Sequence, residues 1–163
     1  MIGRMSSDKL LIKIASQTLE HWRNEILVRA YSISSAEKGV GSKKGSNQTP
    51  LGWHIVRAKI GQGQPLNTIF KARRPEGVLT PQLADENPES DWILTRILWL
   101  SGLELGKNRL GDCDTMQRYI YIHGCPDTKP MGIPLSKGCI RMRNNEIIEL
   151  FDNVAVGTRV LIA

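Results

Sequence analysis

The pattern of apolar and polar positions predicts mostly β-strands. Leu10–Ala15 and Glu25–Ser34 are rich in aliphatic and aromatic residues, and we expect them to form an N-terminal hairpin with a turn near Trp22–Asn24. Further strands are predicted at Gly52–Ile60, Trp92–Leu105, Arg118–His123 and Thr158–Ile162.

One helix is predicted near the C-terminus. An apolar stripe at helical spacing follows Asn144, which has the side chain of an N-cap residue, and Gly157 ends the helix; the stripe comprises Ile147, Leu150, Phe151 and Val154. Two polar, Pro- or Gly-containing segments, 38–50 and 80–91, have the composition of long loops. We therefore expect residues 1–163 to form a single, mainly β domain, a β-sandwich or barrel with long loops and about one short helix.

Composition excludes several classes of protein. With 163 residues, 40% apolar and 23% charged, the chain is an ordinary globular protein that needs no disulfide or metal for its core. Apolar stretches such as Ile97–Leu100 are too short for a membrane-spanning helix, so we expect no membrane span. Lys13 interrupts the N-terminal apolar run Leu10–Ile14, and no small-residue cleavage site follows it. We expect no signal peptide and a cytoplasmic location, or a periplasmic one if the start of the chain has been trimmed.

The formal net charge of +6 is concentrated in one part of the chain. Residues 37–77 contain eight basic residues and two acidic ones, so the whole excess lies there. A solvated surface would explain this segment, and so would attraction of an anionic substrate or polymer. The cluster of acidic residues in 85–91 is interpreted as a solvated connection or a lid.

Three cysteines at irregular spacing do not form a disulfide framework. Close pairs such as C-x-x-C are absent, so we expect no metal site, and no cofactor is expected. Cys113 and Cys125 are interpreted as structural thiols in the core or in loops. Cys139 differs because Gly138 precedes it, at a position where a sharp turn would present the thiol and direct backbone N–H groups at an oxyanion.

His123 ends the predicted strand Arg118–His123 and offers a base for that thiol. If Cys139 opens a strand, Arg141 and Arg143 share its face, with Lys137 nearby. Such positive charge would favour the thiolate, and a guanidinium can hold a carboxylate. These residues point to a cysteine acyl-transfer enzyme that acts on a substrate bearing carboxylates.

These same residues carry a family resemblance. The stretch from His123-Gly124 to Ser136–Met142 (S-K-G-C-I-R-M) resembles the catalytic motif of the L,D-transpeptidase (YkuD-like) domain, in which a histidine precedes an [S/T]-H-G-C-[I/V]-R box. Thr49–Gly52 resembles the T-P-x-G segment of that family, and Tyr31–Ser35 is also similar. The resemblance covers most of the chain.

The resemblance implies a role for each matching residue. Cys139 would be the nucleophile, His123 the general base and later acid, and the Gly124 carbonyl would orient the imidazole. The N–H groups of Gly138 and Cys139 would form the oxyanion hole. On the substrate side the resemblance implies roles for Ser136, which would brace the loop, for Arg141, which would bind a substrate carboxylate, and for Lys137, which stands where the family has a histidine.

The implied donor substrate is a peptidoglycan stem tetrapeptide or muropeptide, which would lose its terminal D-Ala and leave a thioester on Cys139. Water as acceptor would make the protein an L,D-carboxypeptidase, and our expectation is a cytoplasmic enzyme of this kind in murein recycling. An amine acceptor would make it an L,D-transpeptidase that forms cross-links or exchanges D-amino acids. Covalent carbapenem adducts at Cys139 are also implied.

A function of another class remains open from the sequence. The basic segment could belong to a non-catalytic module that binds wall polymer or nucleic acid, with an affinity that falls steeply with salt and does not depend on the thiol. The enzyme interpretation includes no nucleic-acid partner.

Overall fold

The computed structural model describes residues 7–163, and its elements are mostly strands. In chain order they are β1 (Asp8–Lys13), β2 (Thr18–Arg23), β3 (Ile26–Ser32), β4 (Gly52–Ile60), β5 (Thr68–Lys71), β6 (Arg74–Val78), α1 (Pro81–Glu86), β7 (Leu94–Gly102), a 3₁₀ turn (Gly111–Cys113), β8 (Tyr121–Gly124), β9 (Ile140–Met142), α2 (Asn144–Asn153) and β10 (Arg159–Ile162). The predicted mainly β fold is confirmed.

All ten strands belong to one sheet that branches at β7. The main path runs β3-β2-β1-β10-β4-β7-β5-β6, and β8 pairs with β7 and carries β9 on its other edge. β1 pairs in parallel with β10, and β8 pairs in parallel with β9. The β8–β9 pair holds the predicted catalytic residues.

The N-terminal region contains one strand more than expected. β2 lies between the two predicted strands, so the predicted hairpin is a three-stranded meander. The turn to β3 falls at Asn24 and Glu25, which both have left-handed backbone angles. In β2 the buried residues Leu19 and His21 alternate with partly exposed ones, a pattern that was not used to predict a strand.

A second hairpin and a short helix were also missed. Ala72 and Arg73, with φ of 45° and 64°, form the tight turn between β5 and β6, a turn type usually marked by Asn or Gly. The predicted loop 80–91 begins with α1, where the Thr80 hydroxyl accepts a hydrogen bond from the Leu83 N–H at 3.1 Å and Pro81 opens the helix. The prediction of a continuous loop was therefore wrong for residues 81–86.

The main core lies between the sheet and α2. The predicted stripe of α2 is confirmed, because Ile147, Leu150, Phe151 and Val154 all pack in this core. The N-cap prediction was off by one residue: Arg143 occupies the N-cap, and Asn144 is the first helical residue, with a buried side chain. Within residues 7–163, no helix combines the length and apolarity needed to cross a membrane.

Candidate active site

The parallel pairing of β8 with β9 brings the predicted catalytic residues together. His123 lies opposite Arg141, and Cys139 directly precedes β9. Because alternate strand residues share a face, Cys139 and Arg141 point to the same side as His123. The prediction for Arg143 was wrong: β9 ends at Met142, and the Arg143 guanidinium pairs with Glu146 at 3.3 Å at the start of α2.

The turn before Cys139 needs glycine. Gly138 has a φ of +127°, and a Cβ there would lie 3.3 Å from the Gln48 carbonyl oxygen and from Ile120 Cδ1. Ser136 braces this turn as the resemblance implies, because its hydroxyl donates to the Cys139 carbonyl at 2.6 Å and accepts from the Gly138 N–H at 3.2 Å. The oxyanion-hole roles of the Gly138 and Cys139 N–H groups remain predictions, and the first of these groups is already hydrogen-bonded to Ser136.

Thr49 anchors the same turn from the other side. Its hydroxyl accepts from the Ala36 N–H at 3.0 Å and donates to the Gly138 carbonyl at 2.9 Å, and the residue is fully buried. The family-like segment Thr49–Gly52 thus holds the nucleophile loop. The family resemblance included this segment but implied no role for it.

His123 is positioned as a neutral base. Its Nδ1 lies 2.6 Å from the Gly124 carbonyl oxygen, which can only accept, so Nδ1 carries the proton. Burial lowers the pKa of His123 below its usual value, although the Gly124 carbonyl works in the other direction. Nε2 is buried and has no hydrogen-bond partner within residues 7–163, which leaves its lone pair free to take a proton.

A polar network packs against Gly124, the residue that follows His123, and was not predicted from the sequence. The Asn144 Nδ2 donates to the Cys125 carbonyl at 2.8 Å, and its Oδ1 accepts from the Thr95 hydroxyl at 2.6 Å. Gly124 packs tightly against this network, since a Cβ there would collide with Asn144 Oδ1 and lie 2.7 Å from the Leu94 carbonyl oxygen. The interpretation of Asn144 as an N-cap concealed this contact.

The Cys139 thiol is hydrogen-bonded to the backbone of Tyr119 and Tyr121. The side chain is partly exposed, its Sγ donates to the Tyr119 carbonyl at 3.4 Å, and the Tyr121 N–H donates to Sγ at 3.3 Å. Burial raises the pKa of Cys139 to about 12 and outweighs the Tyr121 N–H and the Arg141 charge, which lower it. Nearby cations therefore favour the thiolate, as expected, but burial of the thiol outweighs their effect.

The thiol opens into a cleft of about 410 Å³. Of the basic residues between 37 and 77, the cleft lining includes Arg73, at the tip of the β5–β6 hairpin. Its guanidinium donates to the Tyr121 hydroxyl at 3.1 Å and stacks over the Trp99 ring at 4.7 Å. Lys137 is exposed and also lines the cleft. Most of the basic segment thus lies outside the cleft.

Arg141 is engaged with a residue of the acidic segment. Its Nη2 lies 2.7 Å from Asp91 Oδ1, and the two side chains are 8% and 31% exposed. Asp91 also lines the cleft of the thiol. The substrate-binding role of Arg141 remains a prediction, and in this structure Asp91 supplies the carboxylate on that guanidinium.

The two other thiols and His54 have hydrogen-bond partners of their own. Cys125 is buried and its Sγ donates to the Met142 carbonyl at 3.6 Å, while the Cys113 Sγ donates to the Leu110 carbonyl at 3.2 Å. His54, on β4, is fully buried, with its ring between the Gly52 carbonyl and the Thr115 hydroxyl. Across residues 7–163, the structure brings together no group of three or more His, Cys, Asp or Glu side chains that could hold a metal ion.

Known proteins are similar to this chain in sequence or in fold. The probable L,D-transpeptidase ErfK/SrfK of Salmonella typhimurium is 51% identical over 126 residues, which are 76% of this chain and 35% of that protein. L,D-transpeptidase 3 of Mycobacterium tuberculosis superposes with a TM-score of 0.60 at 14% identity, over 97% of this chain and 61% of that one. L,D-transpeptidase LdtMt1, solved in complex with imipenem, gives a TM-score of 0.59 at 19% identity, over 97% of this chain and 59% of that one.

The two superpositions establish the fold alone. The chain spans about a third or less of the length of the curated relatives that it matches. A family model described as the L,D-transpeptidase catalytic domain matches residues 7–162, almost the whole chain. The chain therefore belongs to the YkuD family of L,D-transpeptidase catalytic domains and is an enzyme of that family.

Proposed function

We propose that this enzyme cleaves the L,D peptide bond of peptidoglycan stem tetrapeptides through a thioester on Cys139. The observation that supports this most is the position of a neutral, buried His123, with a free Nε2, on the same strand face as a thiol held at a glycine turn. A nucleophile beside an unprotonated base is the arrangement that acyl transfer needs.

The proposed chemical steps start from a protonated Cys139 thiol and a neutral His123. The Cys139 thiol gives up its hydrogen bond to the Tyr119 carbonyl, and His123 Nε2 takes the thiol proton as sulfur attacks the carbonyl carbon. When the tetrahedral intermediate collapses, the C–N bond breaks and His123 returns the proton to the amine of D-Ala. The Gly124 carbonyl, bonded to Nδ1–H, stabilises the imidazolium formed in between.

We further propose that water resolves the thioester, so that the product is a tripeptide and the enzyme is an L,D-carboxypeptidase in the cytoplasm. Water reaches the acyl carbon through the cleft, where the Cys139 side chain is partly exposed. His123, deprotonated again after D-Ala leaves, would take a proton from that water. Fractionation of cells that produce the full-length protein tests the location: recovery outside the cytoplasm would overturn that part.

Transfer to an amine is the second candidate, and the names of the relatives favour it. Two relatives of this chain, ErfK/SrfK and YbiS, are named as probable L,D-transpeptidases. In this case an amine of a second stem peptide or a free D-amino acid replaces water. The structure of LdtMt1 with imipenem supports the further proposal that carbapenems acylate Cys139.

One incubation separates these outcomes. Purified protein is given a stem tetrapeptide, with and without an amine acceptor, and the products are identified by mass. Tripeptide alone would support hydrolysis, and cross-linked or exchanged peptide would support transfer.

Cys139→Ala is the control variant, and Cys113→Ala is its matched partner because that thiol lies outside the cleft. Undiminished turnover by Cys139→Ala would overturn the whole proposal. Salt-sensitive binding of wall polymer or nucleic acid by both variants, without turnover by the wild type, would favour the non-catalytic module.

A further inference from the structure

The Arg141–Asp91 ion pair joins the candidate active site to the polar segment 85–91. The Arg141 guanidinium is nearly buried, and its Nη2 contacts Asp91 Oδ1 at 2.7 Å. Hydrogen bonds between two charged groups at this distance are among the strong ones in proteins. Asp91 therefore pairs with the guanidinium to which the family resemblance assigns a substrate carboxylate.

The segment that carries Asp91 is weakly held. Residues 85–91 are exposed, and α1, which precedes most of them, has no buried residue. The backbone hydrogen bonds of this stretch are local, such as the Ser90 N–H to the Asn87 carbonyl at 3.2 Å. Segments with little buried surface open at low free-energy cost. The Asp91 side chain can thus leave Arg141 without disruption of the core.

We propose that Asp91 is a specificity-determining residue: its carboxylate competes with the substrate carboxylate for Arg141. The inference rests on the proposed role of Arg141 in substrate binding. A ligand without a carboxylate gains nothing at Arg141, because Asp91 keeps the guanidinium. A ligand that brings a carboxylate beside the thiol replaces Asp91 and takes over the same charge-assisted hydrogen bonds.

The competition affects anionic and neutral ligands differently. With Asp91 in place, an anion near Cys139 is repelled by the carboxylate and finds Arg141 occupied. Without the Asp91 charge, the anion meets a free guanidinium one alternate strand position away from the thiol. A neutral ligand of the same shape is nearly indifferent to this change.

Two small alkylating agents test this without peptidoglycan. Iodoacetate carries a carboxylate and iodoacetamide is its neutral analogue; with each, the Cys139 sulfur displaces iodide from carbon and the thiol proton passes to solvent. The rate of alkylation at Cys139 is followed by mass spectrometry at one pH. Both reagents react with the same thiolate, so the ratio of the iodoacetate rate to the iodoacetamide rate does not depend on the pKa of the thiol. We expect Asp91→Asn to raise this ratio by about tenfold, the size of one charge-assisted hydrogen bond.

Further variants separate competition for Arg141 from a general change of charge. Glu89→Gln removes a charge from the same segment and is expected to leave the ratio nearly unchanged. In an Arg141→Gln background, or Arg141→Met if the first does not fold, Asp91→Asn is expected to lose most of its effect. An unchanged ratio in Asp91→Asn, or an equal rise with and without Arg141, would overturn the proposal.

The same variants link the result to the proposed reaction. If tetrapeptide is the substrate, Asp91→Asn is expected to lower its KM by a similar factor, with a smaller change in kcat. A raised alkylation ratio without any tetrapeptide turnover would keep the Asp91–Arg141 competition and overturn only the proposed function.

Discussion

Replacement of Thr49 by Val tests whether this buried hydroxyl holds the nucleophile turn. The hydroxyl joins the Ala36 N–H to the Gly138 carbonyl, at 3.0 Å and 2.9 Å, and Val keeps the shape but neither hydrogen bond. A buried polar group left without a partner costs about 1–3 kcal/mol, so two of them cost about 2–6 kcal/mol. The additional buried methyl group of Val returns about 1 kcal/mol. We expect Thr49→Val to lose about 1–5 kcal/mol of the free energy of unfolding.

Thr49→Ser is the matched control because it keeps the hydroxyl and loses one methyl group, at a cost of about 1 kcal/mol. Urea unfolding followed by tryptophan fluorescence measures both variants against the wild type. The initial rate of D-Ala release, at a temperature where each variant is folded, reports on the turn itself. We expect a lower kcat for Thr49→Val than for Thr49→Ser, since small displacements of a nucleophile reduce its rate strongly. If Thr49→Val were as stable and as active as Thr49→Ser, the anchoring role would be refuted.

Three further predictions follow from the site and from the buried histidine of β4. Because burial raises the pKa of Cys139 to about 12, the rate of its alkylation by iodoacetamide is expected to rise steadily from pH 7 to pH 10; a plateau near neutrality would show a thiolate that this structure does not explain. Gly124→Ala is expected to displace the carbonyl that orients His123 and to reduce kcat more than KM, whereas equal kinetics for variant and wild type would show that the carbonyl does not act. Burial lowers the pKa of His54 to about 4, so the unfolded chain, with a histidine pKa near 6.5, binds this proton first as the pH falls. The contribution of the neutral, buried His54 to the free energy of unfolding is therefore complete above pH 6.5 and is lost as the pH falls toward 4. Urea titrations are expected to show that the wild type loses about 2 kcal/mol more of its free energy of unfolding between pH 7 and pH 5 than His54→Gln does. Equal losses in the two proteins would contradict this expectation.

Sequence patterns predicted the parts of the fold that local rules determine. β4 spans the predicted residues Gly52–Ile60, and the stripe on α2 follows helical periodicity into the core. The β5–β6 hairpin was missed because its turn, Ala72-Arg73, adopts left-handed angles without Asn or Gly. That conformation is held by contacts of the Arg73 side chain with aromatic residues distant in sequence, which no local pattern reveals.

Local sequence rules also predicted only part of the candidate site. Strand alternation placed Cys139 and Arg141 on one face, and the glycine before Cys139 indicated the turn, so the chemistry of these neighbours was readable from the sequence. The protonation state of the thiol could not be predicted from the sequence, because desolvation depends on the whole surrounding fold. The partner of Arg141 was equally hidden, since Asp91 lies 50 residues away.

The intact mass of the protein after brief exposure to stem tetrapeptide or to imipenem, followed by mapping of the modified peptide, shows whether Cys139 carries the acyl group. The proposed thioester mechanism predicts a single acyl adduct on Cys139, with Cys113 and Cys125 unmodified in the same sample and no adduct in Cys139→Ala. Turnover of tetrapeptide with no adduct on Cys139, or an adduct that persists in Cys139→Ala, would contradict it.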